Sequence, residues 1–91
     1  LYQAGADPHI DDPLGGWLTT EQLYRRDARV FDGLRKMSIP VAWNLAGGYQ
    51  RDDADTIRPV LTIHDNTLRA FAESWDVAAT CRENSEFALS A

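Results

Sequence analysis

The side chains best suited to chemistry lie in the first sixteen residues of the chain. Asp7, His9, Asp11 and Asp12 fall within six positions, and proline and glycine follow them directly. Three carboxylates and an imidazole this close together repel one another, so a folded protein places them in water or around a cation. A solvated acidic turn is therefore one interpretation. A metal site built from these four residues alone is another.

A second candidate stretch is Val41–Tyr49, where an apolar run ends in two glycines and a tyrosine. Gly47 and Gly48 permit backbone conformations and close approaches that a side chain would prevent. Tyr49 contributes a phenol that can donate a hydrogen bond. Two glycines fall short of the G-x-G-x-x-G pattern, so the stretch does not indicate a nucleotide site.

Four predicted elements position these residues: a strand at Leu1–Ala4, a helix from about Glu21 to Met37, a strand at Val41–Ala46 and a helix from Ile57 to Trp75. The second strand barely alternates, which predicts that both of its faces are covered. Strand, helix and strand in this order predict parallel pairing. Because sites form beyond the carboxyl ends of parallel strands, the acidic loop and Tyr49 should share one crevice.

The first helix has two candidate N-caps. Thr19 with Gln22 satisfies the capping-box pattern, and Thr20 is the alternative. Asp27 lies on the apolar stripe of this helix, so we expect an Arg partner or a partly exposed position. The stripe itself consists of Leu23, Val30, Phe31, Leu34 and Met37.

The second helix should begin with Pro59 in its first turn, where the missing N–H is tolerated. Its predicted apolar face is Ile57, Val60, Leu61, His64, Leu68, Phe71, Ala72 and Trp75. His64 on that face is expected to be a hydrogen-bonded core histidine. Residues 1–78 are predicted to form one unit, and residues 79–91 a polar tail in which Cys81 has no catalytic partner.

Bulk properties exclude several classes of protein. Ninety-one residues make one small domain, and a net charge of −5 with scattered basic residues argues against direct nucleic-acid binding. No apolar run approaches the ~20 residues of a membrane span, and a single cysteine fits the reducing cytoplasm. Because Leu1 already reads as part of a buried strand, we expect the chain to be a piece of a longer protein.

Two motifs resemble the zinc-dependent histone deacetylase family, which includes acetylpolyamine amidohydrolases and acetoin-utilisation proteins. Gly5–Asp7 followed by Asp12–Gly16 resembles its strand end and metal loop, and Leu45–Tyr49 resembles its Gly-Gly-Tyr motif. The similarity runs from Leu1 to about Trp75 and covers the C-terminal portion of the catalytic domain. It implies a βαβα piece of the parallel-sheet arginase–deacetylase fold. Aligning the chain with this family favours Thr20 as the N-cap of the first helix.

The resemblance also implies roles for single residues. Asp12 matches an aspartate zinc ligand, and Tyr49 matches the tyrosine that hydrogen-bonds the oxygen of the scissile acetamide. Asp7, Gly47 and Gly48 match positions that support the loops, Asp7 by accepting backbone N–H groups. His9 has no fixed counterpart, which leaves a contact with substrate at the rim open.

The expected function is therefore zinc-dependent hydrolysis of an N-acetyl amide, such as acetyl-lysine or an acetylpolyamine, to an amine and acetate. A catalytic zinc needs three protein ligands, and the family supplies the others, with the general base, upstream of Leu1. The expected partners are an acetylated amine and the remainder of the catalytic domain, and this piece should be inactive alone. The alternative is a non-catalytic α/β module that self-associates into a homo-oligomer through uncovered sheet edges and apolar faces.

Overall fold

The computed structural model describes residues 1–75, which form a small α/β arrangement. In chain order the elements are β1 (Tyr2–Gly5), α1 (Thr20–Lys36), β2 (Trp43–Ala46) and α2 (Arg58–Trp75). The two strands pair in parallel, with Tyr2 opposite Trp43 and Gly5 opposite Ala46. The predicted order of elements and the parallel pairing are confirmed. β1 ends one residue later than predicted, and β2 begins two residues later.

The start of α1 is set by a capping box. Thr19 is the N-cap, and its hydroxyl accepts a hydrogen bond from the Gln22 N–H at 3.1 Å while the Gln22 side chain accepts from the Thr19 N–H at 2.9 Å. These two bonds satisfy N–H groups that have no partner within the helix. The capping pattern in the sequence was therefore right, and Thr20, which the resemblance favoured, is the first helical residue.

The buried face of α1 is narrower than the predicted stripe. Leu23, Asp27 and Phe31 are buried at the four-residue spacing of one helix face. Met37 is 63% exposed, so its assignment to the stripe was wrong. The physical reason is that α1 ends at Lys36 and Met37 is the C-cap, beyond the part of the helix that contacts its neighbours.

The buried face of α2 is rotated from the one predicted. The side chains that are buried are Val60, Ile63, Thr67 and Ala70, and Pro59 lies in the first turn as expected. Leu61 and Leu68 are 48% and 56% exposed, so their prediction as core residues was wrong. Apolar residues lie on both sides of this helix, and the side that packs is the one on which Thr67 reaches the buried Asp27 of α1.

Two groups of side chains form the interior. Near the start of the strands, the Phe31 ring meets those of Tyr2, Trp43 and Phe71 in edge-to-face contacts, with centroids 5.6, 5.6 and 5.3 Å away. Near the carboxyl ends of the strands, a cluster of buried apolar residues consists of Ala6, Leu23, Val60 and Ile63. This second cluster supports the loops that carry the candidate site.

The prediction that both faces of β2 are covered was wrong for residues 1–75. Both helices contact the sheet face that carries Tyr2 and Trp43, which leaves Asn44 exposed, and Leu45 is also 50% exposed. No helix in this range is long and apolar enough to cross a membrane. The predicted boundary after residue 78, the polar tail and Cys81 lie outside the described residues.

Candidate functional site

The candidate site lies where the loop after β1 meets the loop after β2, and Asp12 joins them. One Asp12 carboxylate oxygen accepts a hydrogen bond from the Tyr49 N–H at 2.8 Å, and the other accepts from the Leu14 N–H at 2.9 Å. Asp12 is only 4% exposed, whereas Tyr49 is 56% exposed. The structure therefore brings Asp12 and the Tyr49 backbone together at the carboxyl ends of the strands.

Within residues 1–75, the partners of the Asp12 carboxylate are backbone N–H groups. Among residues 1–75, no Lys, Arg or His side chain forms an ion pair with it. A buried carboxylate without a cation is unfavourable, and two N–H donors offset only part of that penalty. Each carboxylate oxygen accepts one hydrogen bond here and keeps a further lone pair. The arrangement therefore fits a carboxylate that holds a cation.

His9 shapes the loop that carries Asp12. Its Nδ1 accepts a hydrogen bond from the Asp11 N–H at 3.0 Å, so its Nε2 carries the proton and donates to the Thr20 hydroxyl at 2.9 Å. The His9 carbonyl accepts from the Asp12 N–H at 3.0 Å. With both ring nitrogens occupied and 7% exposure, His9 supports the loop and is not placed for a contact with substrate at the rim.

The loop closes on itself at Pro8. The Pro8 carbonyl accepts hydrogen bonds from the Trp17 and Leu18 N–H groups, each at 3.0 Å. Gly16 lies so close to this carbonyl that a Cβ would overlap it. A glycine is therefore required for the close approach, and the closed loop keeps Asp12 near β2.

Gly47 and Gly48 are needed where β2 ends. Both have positive φ, 59° and 100°, a region that favours glycine. A Cβ on Gly47 would lie 2.6 Å from an Asp7 carboxylate oxygen, and one on Gly48 would lie 2.6 Å from a Val60 methyl group. Asp7 thus packs over Gly47. The hydrogen bonds expected from loop N–H groups to Asp7 are absent within residues 1–75, so its support of the loop is steric.

No metal site assembles from the acidic loop alone. Among the described residues, no group of three or more His, Cys, Asp or Glu side chains is placed to hold a metal ion. Asp11 is exposed to solvent, and both ring nitrogens of His9 are already hydrogen-bonded to Asp11 and Thr20. The hypothesis of a site built from Asp7, His9, Asp11 and Asp12 was therefore wrong. Asp12 alone remains as a candidate ligand.

A shallow pocket of about 310 Å³ lies beside the Asp12 loop and is lined by Asp7, Pro8, Leu14, Gly15, Gly16 and Trp17. Leu14 and Trp17 are 67% and 79% exposed. Sequence reasoning missed Trp17, although a tryptophan directly after two glycines is a signal of an exposed aromatic side chain on a turn.

His64 also differs from expectation, because its Nδ1 has no hydrogen-bond partner in the described part of the chain.

Comparisons with protein-family models, with curated proteins and with solved structures found no match to this chain.

Proposed function

We propose that this chain is the C-terminal part of a zinc-dependent deacetylase with the arginase–deacetylase fold, which hydrolyses an N-acetyl amide to an amine and acetate. One observation carries the proposal: the buried Asp12 carboxylate lacks an ion-pair partner within residues 1–75 and accepts a hydrogen bond from the Tyr49 N–H. That bond joins the two motifs whose residues resemble the deacetylase family.

Asp12 is proposed as a zinc ligand. The hydrogen bonds from Leu14 and Tyr49 fix the direction of its carboxylate, and a free lone pair on either oxygen can reach a metal at about 2.0–2.2 Å. When bound, zinc supplies Lewis-acid chemistry toward the acetamide and its attacking water. Residues 1–75 offer one ligand, so the proposal requires that two further ligands and the general base come from outside this range.

Tyr49 is proposed to stabilise the transition state. As the amide carbon becomes tetrahedral, negative charge develops on the carbonyl oxygen, and a phenol O–H can donate a hydrogen bond to it. The Tyr49 N–H is hydrogen-bonded to Asp12, the proposed ligand, while the half-exposed Tyr49 side chain is accessible to a substrate. Gly47 and Gly48 allow the turn that places this tyrosine next to Asp12.

The test is release of acetate from an acetylated amine by the full-length protein, with and without zinc. Tyr49→Phe should lower kcat by about 10²–10³, the usual loss when one donor to a developing oxyanion is removed. Asp12→Ala should abolish zinc-dependent activity. Asp11→Ala is the matched control, because Asp11 is an exposed neighbour that contributes only its backbone N–H to the loop. Wild-type rates in both Asp12→Ala and Tyr49→Phe would refute the proposal.

A second candidate is a non-catalytic module that self-associates. It is favoured by the exposure of large apolar residues at the surface of residues 1–75, among them Trp17 at 79%, Leu45 at 50% and Leu68 at 56%. In addition, the two-stranded sheet of residues 1–75 leaves on each strand one edge that pairs with no other strand in this range. Light scattering tests this candidate directly, because a chain that stays monomeric at high concentration would contradict it.

A further inference from the structure

We propose that Arg26 is a positioning residue for the Asp12–Tyr49 site, which it controls by fixing the peptide group between Gly5 and Ala6. The effect on catalysis rests on the proposed function above. The effect on loop geometry does not, and it can be measured separately.

The Gly5–Ala6 peptide group is held on both sides. The Ala6 N–H donates to the Ala46 carbonyl of β2 at 2.9 Å, and the Gly5 carbonyl accepts from Arg26 Nη1 at 2.7 Å. In a trans peptide the N–H and C=O point in opposite directions, so Arg26 binds the edge of β1 that faces away from β2. This peptide is the last of the strand and sets the direction in which the loop leaves it.

Asp27 fixes the Arg26 guanidinium. Arg26 Nε and Nη2 lie 3.0 and 2.9 Å from the same Asp27 oxygen. That carboxylate is fully buried and also accepts hydrogen bonds from the Tyr2 and Thr67 hydroxyl groups, both at 2.5 Å. Successive residues on a helix do not normally face each other, so the Arg26 side chain must fold back to make this contact. Nε donates a hydrogen bond to the carboxylate, and Nη2 lies within ion-pair distance of it without a hydrogen bond in the described residues. The planar fork of arginine leaves Nη1 free to reach Gly5 at the same time.

Contacts continue from this peptide to the site. Ala6 is fully buried in the cluster with Val60, and Val60 packs against Gly48. Asp7, the next residue, packs over Gly47. A shift of the Gly5–Ala6 peptide therefore moves both glycines that precede Tyr49, whose N–H binds Asp12.

The hydrogen bond from Arg26 Nη1 to the Gly5 carbonyl distinguishes a positioning role from simple stabilisation of the fold. A buried ion pair is weak evidence for a stabilising role, because apolar residues of similar volume often serve as well. The bond from Arg26 Nη1 to Gly5 has no such substitute, since it satisfies a backbone carbonyl at the strand end. Thr67 provides the comparison, because it donates to the same carboxylate and, within residues 1–75, forms no hydrogen bond to β1.

The experiment compares Arg26→Met with Thr67→Val in the full-length protein, with Arg25→Met as control. Arg25 lies on the same helix, and its ion pair with Glu21 is exposed. Amide hydrogen exchange is measured at Ala6 and Tyr49, at temperatures equally far below each variant's own Tm. We expect Arg26→Met to speed exchange at both amides by at least about tenfold over Thr67→Val, as the disordering of a held peptide group implies.

Activity provides the second readout. Arg26→Met should lower kcat about tenfold or more with KM changed less than twofold, because misplaced catalytic groups slow the chemical step. Arg26→Lys, which keeps one donor for the Gly5 carbonyl, should restore part of both effects. If Arg26→Met does not fold, Arg26→Lys is compared with Thr67→Val instead, and because its rescue is only partial, its exchange at both amides should still exceed that of Thr67→Val, by less than tenfold.

Equal exchange in the Arg26 and Thr67 variants at matched stability would overturn the positioning role. If Asp12→Ala and Tyr49→Phe retain wild-type activity, the proposed function fails, and the exchange data still decide the role of Arg26. If those two variants are inactive but Arg26→Met exchanges and reacts like Thr67→Val, the positioning role fails alone.

Discussion

Two buried carboxylates, Asp27 between the helices and Asp12 at the strand ends, are held in opposite ways. Asp27 is compensated by the Arg26 guanidinium and by two hydroxyl groups. Asp12 is almost as buried, yet within residues 1–75 its hydrogen bonds come from two backbone N–H groups and no cation pairs with it. The fold itself pairs one carboxylate with a cation, and it supplies no such partner to the other within residues 1–75.

The partners of the two carboxylates come from different kinds of structure. Those of Asp27 lie on β1, α1 and α2, so the carboxylate ties three regular elements together. Those of Asp12 lie on two loops whose shape depends on Gly16, Gly47 and Gly48. The comparison indicates that Asp27 serves stability and geometry, whereas Asp12 lies buried, without a cation partner in residues 1–75, in a position that stability alone would not require.

The largest expected effect is the loss of stability in Asp27→Asn. An amide cannot pair with Arg26 and accept from both hydroxyl groups, so a buried charge loses its partner, which typically costs about 3–5 kcal/mol. Urea unfolding measures the change, and Asp32→Asn, at an exposed position of the same helix, is the control.

Asp12→Asn should behave differently in metal-free protein. The amide keeps one oxygen to accept an N–H and removes an uncompensated charge, so we expect a change within about 1 kcal/mol. Equal losses in the two variants would abolish the distinction between the carboxylates. Equal losses would mean that the Asp12 carboxylate is stabilised as well as that of Asp27. The assignment of Asp12 as a metal ligand would then lose its basis.

Local and neighbour-based features of this fold could be predicted from the sequence. The capping box at Thr19 depends on residues three apart, and the expectation of an Arg partner for Asp27 followed from its place on an apolar stripe. That partner is Arg26, the adjacent residue. The meeting of Asp12 with Tyr49 also followed from a general rule, because parallel strands bring their carboxyl ends together.

Features that depend on distant contacts could not be predicted. Thr67 reads as a polar surface residue, and its burial depends on Asp27, forty positions earlier in the chain. Without that contact, the apolar residues on both sides of α2 gave no basis for choosing its buried face. The structural use of His9 likewise depends on the Asp11 N–H and the Thr20 hydroxyl, which the folded loop brings to its two ring nitrogens.

An intermediate effect is expected from alanine at two glycines, one in each region. Gly48→Ala should destabilise the protein by about 1–3 kcal/mol, because it combines a positive φ with a Cβ that meets Val60. Gly33→Ala should stabilise it by about 0.5–1 kcal/mol, since this helical position has open space around the added methyl group. Thermal unfolding measures both. Similar effects in the two variants would mean that the loop after β2 is not constrained as the structure has it.

The smallest expected effect is a difference in alkaline stability around the Asp27 region. Burial, together with the hydrogen bond to Asp27, raises the pKa of Tyr2 well above its usual value. Because the folded pKa exceeds the unfolded one, this contribution to stability is fully present below about pH 10 and declines as pH rises above it.

Tyr2→Phe removes that titration, so its free energy of unfolding should fall less steeply than that of the wild type above about pH 10. Tyr24→Phe is the matched control. A hydrogen bond to Glu73 also raises the pKa of Tyr24, with the same sign, but this phenol lies at the surface of α1, where solvent screens the interaction. Urea unfolding between about pH 8 and 11 measures the slopes. A Tyr24→Phe slope as shallow as that of Tyr2→Phe would show that the buried Tyr2–Asp27 contact contributes nothing beyond a surface one. The contrast between Asp27 and Asp12 would then have to rest on Arg26 and Thr67.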